Sequence, residues 1–111
     1  MGNENGGGKK KDPYAAMYDA SFEMRMQSKA LEKEAQRAAN KEAQEKKKAK
    51  MYMDKGDMES AKIVAQSAIS FKKESTNLYK MSGRMQAVSS KLDSAYRTQQ
   101  MSDQIKSAVP S

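Results

Sequence analysis

The chain has 111 residues, a formal net charge of +7, 37% hydrophobic and 32% charged residues, and only 6% aromatics. That length holds at most one ordinary domain, and so much charge with so little bulk leaves material for one apolar seam, not for a thick globular core. Cysteine and histidine are both absent, which excludes disulfides, thiol catalysis, histidine acid–base chemistry and most zinc sites.

Residues 1–12, MGNENGGGKKKD, are expected to form a flexible arm, because glycine and asparagine hold a helix poorly. Lys9, Lys10 and Lys11 make a small basic cluster there. Gly2 follows the initiator methionine and is the candidate for N-terminal lipidation, although the usual pattern asks for Ser or Thr where Gly6 stands. Asp12 and Pro13 then read as a helix cap followed by proline at the first helical position.

From Tyr14 to Met53 there is neither glycine nor proline. Apolar or small residues recur at roughly heptad positions: Met17, Met24, Ser28, Leu31, Ala35, Ala38, Ala49 and Tyr52. The spacing predicts one helix over about residues 13–53. Glu42 and Glu45 interrupt its seam, so EAQEKKKAK is expected to pack weakly.

Residues 54–57 form the break. Gly56 can take the left-handed conformation that ends a helix, and Asp57 can cap the next one. Glu59 adds negative charge at the positive end of the new helix dipole. A turn this short makes its two helices antiparallel neighbours.

The second helix is expected over about 58–106. Its seam reads Ala61, Val64, Ala68, Phe71, Leu78, Met85, Val88, Leu92 and Tyr96, widened by Ile63, Ile69, Met81 and Ala95. Gly83 inside it costs about 1 kcal/mol relative to alanine; it reads as a flex point or as a place where another backbone comes close. Pro110 ends the pattern. The fold class is therefore all-α, a long antiparallel two-helix hairpin with a coiled-coil seam over 13–108. Phe22, Met26, Ile69 and Met81 fall on its side surfaces and are candidate assembly contacts. The ten methionines suit an adaptable packing surface.

Arg25, Lys29, Lys33, Arg37 and Lys41 follow one another at steps of four. Each step turns about 400°, so the stripe drifts by about 40° per step and winds slowly around the helix. Like charges at this spacing cost a few tenths of a kcal/mol per pair. That cost makes sense beside an anionic surface; the plain alternative is a solvated face balanced by Glu32, Glu34 and Glu42. Lys46 to Lys48 add to the charge. Each lysine near an anionic leaflet contributes roughly 1 kcal/mol. No run approaches the length of a membrane-spanning helix, and no secretory signal is visible.

Catalytic chemistry finds no foothold. GGGKKK lacks the preceding strand and the Lys-Ser/Thr ending of a phosphate loop, and two helices set no carboxylate pair in a pocket. No enzyme, cofactor or metal is expected.

The segments SFEMRMQSKALEKEAQRAANKE, KGDMESAKIVAQSAI and NLYKMSGRMQAVSSKLDSA together resemble the charged multivesicular body protein 1 branch of ESCRT-III. The resemblance covers about residues 20–108. It rests on Phe22, Met24 and Arg25 at the first helix's start, on Lys55 to Glu59 in the turn, and on Ala61, Ile63, Ala65, Ala68 and Ile69 after it. Met81, Ser82, Arg84, Ala87 and Val88 complete it. It implies a hairpin that polymerises, with itself and with other ESCRT-III subunits, on anionic membrane lipid and remodels or cuts the membrane. Endosomal sorting into multivesicular bodies, vacuolar transport and cytokinetic abscission are the implied events, at a cytoplasmic, peripheral endosomal location. It also implies that the basic first helix faces lipid, with Lys9, Lys10, Lys11, Arg25, Lys29, Lys33, Arg37 and Lys41 as membrane-binding residues. Family members continue into further helices and an acidic, Leu-rich motif that recruits a AAA ATPase. That motif is not in these 111 residues, so the chain reads as a fragment or a shortened paralogue, and ATPase recruitment by it alone is not expected. Without the C-terminal part that folds back on the hairpin, a bias toward the assembling state is expected.

Two other classes of function fit the residues. One is a soluble helical adaptor that takes a partner helix in the hairpin groove. The other is sequence-blind nucleic-acid binding, since the chain lacks interleaved aromatics and any recognition signature.

Overall fold

The computed structural model describes residues 13–108. The arm with Gly2, Lys9, Lys10, Lys11 and the Asp12 cap lies outside the described residues, as does Pro110. The fold is all-α. Among the described residues there are two helices, α1 over Pro13–Asp54 and α2 over Met58–Ala108, joined by a tight turn into an antiparallel hairpin.

The turn follows from Gly56, whose φ of 80° suits glycine and penalises every side chain. With that residue left-handed, the Gly56 amide donates to the Met53 carbonyl at 3.0 Å and the Asp57 amide to the Tyr52 carbonyl at 2.9 Å. This nested pair satisfies carbonyls that the end of α1 would otherwise leave open. Asp57 then caps α2: its carboxylate accepts the Ser60 amide at 3.1 Å, and Glu59 lies in the first turn. The Ser60 backbone and side-chain hydrogen bonds hold the Asp57 carboxyl below its ordinary value.

The chain divides into two compact units. One is Gln27–Arg84, which holds the turn and the helical stretches that meet beside it. The other is formed by Met1–Met26 and Met85–Ser111, described over residues 13–26 and 85–108.

In both units the helices meet through small residues. α1 buries Ser21, Ser28, Ala35 and Ala49; α2 buries Ala61, Ala68, Ser75, Ser82 and Ser89. Each series steps by seven, with half-buried Glu42 supplying the remaining α1 position. A second heptad stripe carries the larger side chains, half-buried at Met17, Met24, Leu31 and Tyr52 on α1 and at Val64, Phe71, Leu78, Met85 and Leu92 on α2. Small residues in the first stripe allow close approach, because interaxial distance follows the size of the side chains at the contact. The approach is close enough for hydroxyls to reach the opposite backbone. In Gln27–Arg84, Ser28 Oγ donates to the Ser82 carbonyl at 3.2 Å and Ser82 Oγ to the Ser28 carbonyl at 3.0 Å. In the other unit, Ser89 Oγ donates to the Ser21 carbonyl at 3.2 Å.

Several positions differ from expectation. Val88 is 42% exposed, because it precedes buried Ser89 and a single residue turns the helix by about 100°. Ile63, Ile69, Met81 and Ala95 also face outward and do not widen the seam. Gly83 has nothing within 4 Å of the Cβ it lacks, so no neighbouring backbone requires a glycine there. Glu42 and Glu45 do not break the heptad: both are half-buried, and each is paired within α1, to Lys46 at 3.0 Å and to Lys48 at 3.3 Å. Their aliphatic stems take seam positions while the carboxylates turn to lysines outside.

Candidate functional site

The basic residues of α1 sort themselves against the seam. Taking Ser28, Ala35 and Glu42 as the seam line, Lys29, Lys33 and Arg37 fall on the outward part of α1, and all three are exposed. Lys41 has drifted back to the seam edge, where its ammonium sits 5.5 Å from the centre of the Phe71 ring on α2, a favourable cation–π distance. All four lie in Gln27–Arg84. Lys29 and Lys33 also share a groove with Glu32, Gln36 and Tyr79, two of which are joined by a hydrogen bond from the Tyr79 hydroxyl to Gln36 Oε1 at 3.1 Å.

Arg25 lies in the other unit and is held differently. Its Nη1 donates to Asp93 Oδ2 at 2.7 Å and to Ser21 Oγ at 3.3 Å. Ser21 is fully buried and makes a short hydrogen bond to Asp93 Oδ1. A hydroxyl has a single proton to give. Ser21 gives it to the carboxylate, and Ser89 Oγ lies 3.1 Å from Ser21 Oγ and 3.2 Å from the Ser21 carbonyl. The Ser21 hydroxyl, with the Arg25 guanidinium behind it, holds the Asp93 carboxyl below its ordinary range. Beside this cluster the Tyr96 ring meets Tyr14 edge-on at 6.3 Å and Tyr18 at 5.9 Å.

Apolar side chains are exposed in each unit. Tyr18, Phe22 and Met26 form a stripe at steps of four on α1. In Gln27–Arg84, Ala49, Met53, Met58, Ala61 and Ala65 line an apolar groove next to the turn, with Lys62 on its edge. Ile69 borders a neighbouring groove with Ala65, Ala68 and Lys72, and Met81 is exposed. Among the described residues no three His, Cys, Asp or Glu side chains gather as a metal site would require, and no helix is long and apolar enough to cross a membrane.

The site residues named from sequence thus fall into separate places. Lys29, Lys33 and Arg37 share the outer part of α1. Arg25 and Lys41 are engaged by α2. Ser21, Ser89 and Asp93 are the functional neighbours that sequence reading missed; the signal for them was the seven-residue step of small residues continuing past Ser28 and Ser82.

Comparison with known proteins gives the family. Residues 19–110 match the Snf7 family, and the chain belongs to it. The chain is 32% identical over 95 residues to "Charged multivesicular body protein 1" of Dictyostelium discoideum, covering 86% of this chain and 50% of that protein. It is 30% identical over 90 residues to "ESCRT-related protein CHMP1" of Oryza sativa subsp. japonica, covering 81% and 44%. It is 37% identical over 67 residues to human "Charged multivesicular body protein 1b", covering 60% and 34%. The chain therefore spans about half the length or less of these curated relatives. No solved structure matches it significantly.

Proposed function

We propose that this chain is the helical-hairpin part of an ESCRT-III subunit that assembles, with itself and related subunits, on anionic endosomal membrane and remodels it during sorting into multivesicular bodies. The observation that carries the reading is the row of exposed cations Lys29, Lys33 and Arg37 on α1 of a Snf7-family hairpin. Three such side chains near an anionic leaflet contribute about 3 kcal/mol together, enough to hold a chain that repeats along a polymer through many weak contacts. Phe22, Met26, Ile69 and Met81, all exposed, supply apolar area for lateral contacts between copies. The chain's own role is structural: it binds, aligns and polymerises.

The test is co-sedimentation with vesicles of phosphatidylcholine and phosphatidylserine, at low and high salt, with electron microscopy of the pellet. Binding that weakens as salt rises, falls in a Lys29→Glu, Lys33→Glu, Arg37→Glu variant and leaves filaments or tubes in the pellet supports the reading. Absence of binding at low salt rejects it.

A second reading is favoured by the apolar groove of Ala49, Met53, Met58, Ala61 and Ala65, which suits the apolar face of a partner helix. Such binding would be lost in Met53→Glu with Met58→Glu, both exposed in the groove, and would resist salt.

A further inference from the structure

The basic stripe of α1 is uniform in sequence but not in what its members touch. A step of four residues overshoots the seam repeat of seven, so a row that crosses the outer part of the helix returns to the seam at its ends. Arg25 is at such an end. It is half-buried, with its side chain 40% exposed and that of Asp93 27% exposed, whereas Lys29, Lys33 and Arg37 are exposed.

We infer that Arg25 is a positioning residue of the hairpin and not a lipid contact: with Ser21, Ser89 and Asp93 it forms a clasp that fixes α1 against α2 in its own unit, and Asp93 sets the membrane-facing charge by withdrawing Arg25 from it. An exposed ion pair by itself would contribute little. Here the carboxylate is committed from two sides of the facing helix. Asp93 Oδ1 takes the proton of the fully buried Ser21 hydroxyl and Oδ2 takes the Arg25 Nη1 proton at 2.7 Å. Ser89, one helical turn before Asp93, completes the set through the Ser21 carbonyl. Apart from the Arg25–Ser21 hydrogen bond within α1, the bonds of the cluster run between α1 and α2, so shifting one helix against the other breaks those together. A guanidinium held this way carries its charge beside a carboxylate, and the pair presents no net charge to an anionic surface. The lipid-facing set then reduces to Lys29, Lys33 and Arg37.

The lipid half of this inference rests on the proposed membrane function; the clasp half does not. Amide hydrogen exchange and vesicle co-sedimentation, both on the 111-residue chain, test them separately. Arg25→Gln and Asp93→Asn each speed exchange over residues 13–26 and 85–108, and the exchanged pair Arg25→Asp with Asp93→Arg restores protection. On phosphatidylcholine–phosphatidylserine vesicles, Asp93→Asn releases Arg25 and tightens binding about fivefold, while Asp103→Asn, the same change of charge without a clasp, changes it by less than about twofold. The double variant Arg25→Gln, Asp93→Asn binds as the parent does, and Lys33→Gln binds about fivefold more weakly. The inference is overturned if the double variant binds as weakly as Lys33→Gln, or if neither single variant alters exchange. If the parent chain binds no vesicles, the membrane reading fails alone, and exchange still decides the clasp.

Discussion

Ser28 and Ser82 each donate a hydroxyl proton to the other's backbone carbonyl, at 3.2 and 3.0 Å, with their oxygens 2.9 Å apart. Two helices can exchange such bonds only where neither carries a larger side chain. Ser28→Leu is therefore expected to destabilise the hairpin by about 1–3 kcal/mol through overpacking. Ser28→Ala is expected to cost about 1 kcal/mol, and the double change Ser28→Ala, Ser82→Ala less than the sum, since no unpaired hydroxyl then remains. Thermal and urea unfolding followed by circular dichroism give the three values.

Much of this seam was legible before any coordinates. The larger stripe, Val64, Phe71, Leu78, Met85 and Leu92, stands out in hydropathy, and the alanines at 35, 38, 49, 61 and 68 fall in step with it. Ser21, Ser75, Ser82 and Ser89 did not stand out, because a polar residue scores as surface unless its partner is known. The partner was in fact implied by the turn. Folding the chain at Gly56 brings Ser28 to Ser82 and Ser21 to Ser89, and once that register is set, Arg25 faces Asp93. Val88 was misplaced for the opposite reason: its apolarity outweighed a position next to, not on, the seam.

Gly83 offers a gain. It sits inside α2 with open space where a Cβ would project, and no special backbone angle holds it. Gly83→Ala is expected to stabilise by about 0.5–1 kcal/mol, through helix propensity and a less free unfolded chain. A higher melting midpoint with unchanged helical content checks it; a lower midpoint would show that something requires the glycine.

Gly56 behaves in the reverse sense. Its neighbourhood is equally open, but its φ of 80° costs an L side chain about 1–2 kcal/mol. Gly56→Ala is expected to lower stability by that amount and Gly56→Asn by less, because asparagine tolerates the left-handed region. Unfolding midpoints of the two variants, compared side by side, decide it.

Acid should weaken the hairpin through two carboxylates. Asp93 faces Ser21 and Arg25 on α1 and Arg97 on α2, and is held below its ordinary value of 3.8 by the Ser21 hydroxyl first and then by Arg25 and Arg97. Asp57 is held below its ordinary value by the Ser60 hydrogen bonds. A carboxyl whose folded value is depressed contributes stability above its unfolded value, and that contribution disappears as pH falls through the folded one. Stability is thus expected to be flat from neutral pH down to about 4–5 on these groups' account and to drop below it. Asp93→Asn with Asp57→Asn should be less stable at neutral pH and show a shallower acid drop, measured as melting midpoints between pH 2 and 7.

The small-residue seam also decides which experiments can see it. At Ser21, Ser28, Ala35, Ser75, Ser82 and Ser89 the buried side chains are already alanine or one atom larger than it. Truncation scanning, the usual way of locating a core, removes almost no volume at these places: it is blind at the alanines and reads only a lost hydrogen bond at the serines. A scan that enlarges each residue, to valine or leucine, would draw it position by position. The same asymmetry governs sequence drift in this hairpin: loss of volume at the seam is nearly silent, and gain of volume is where damage appears.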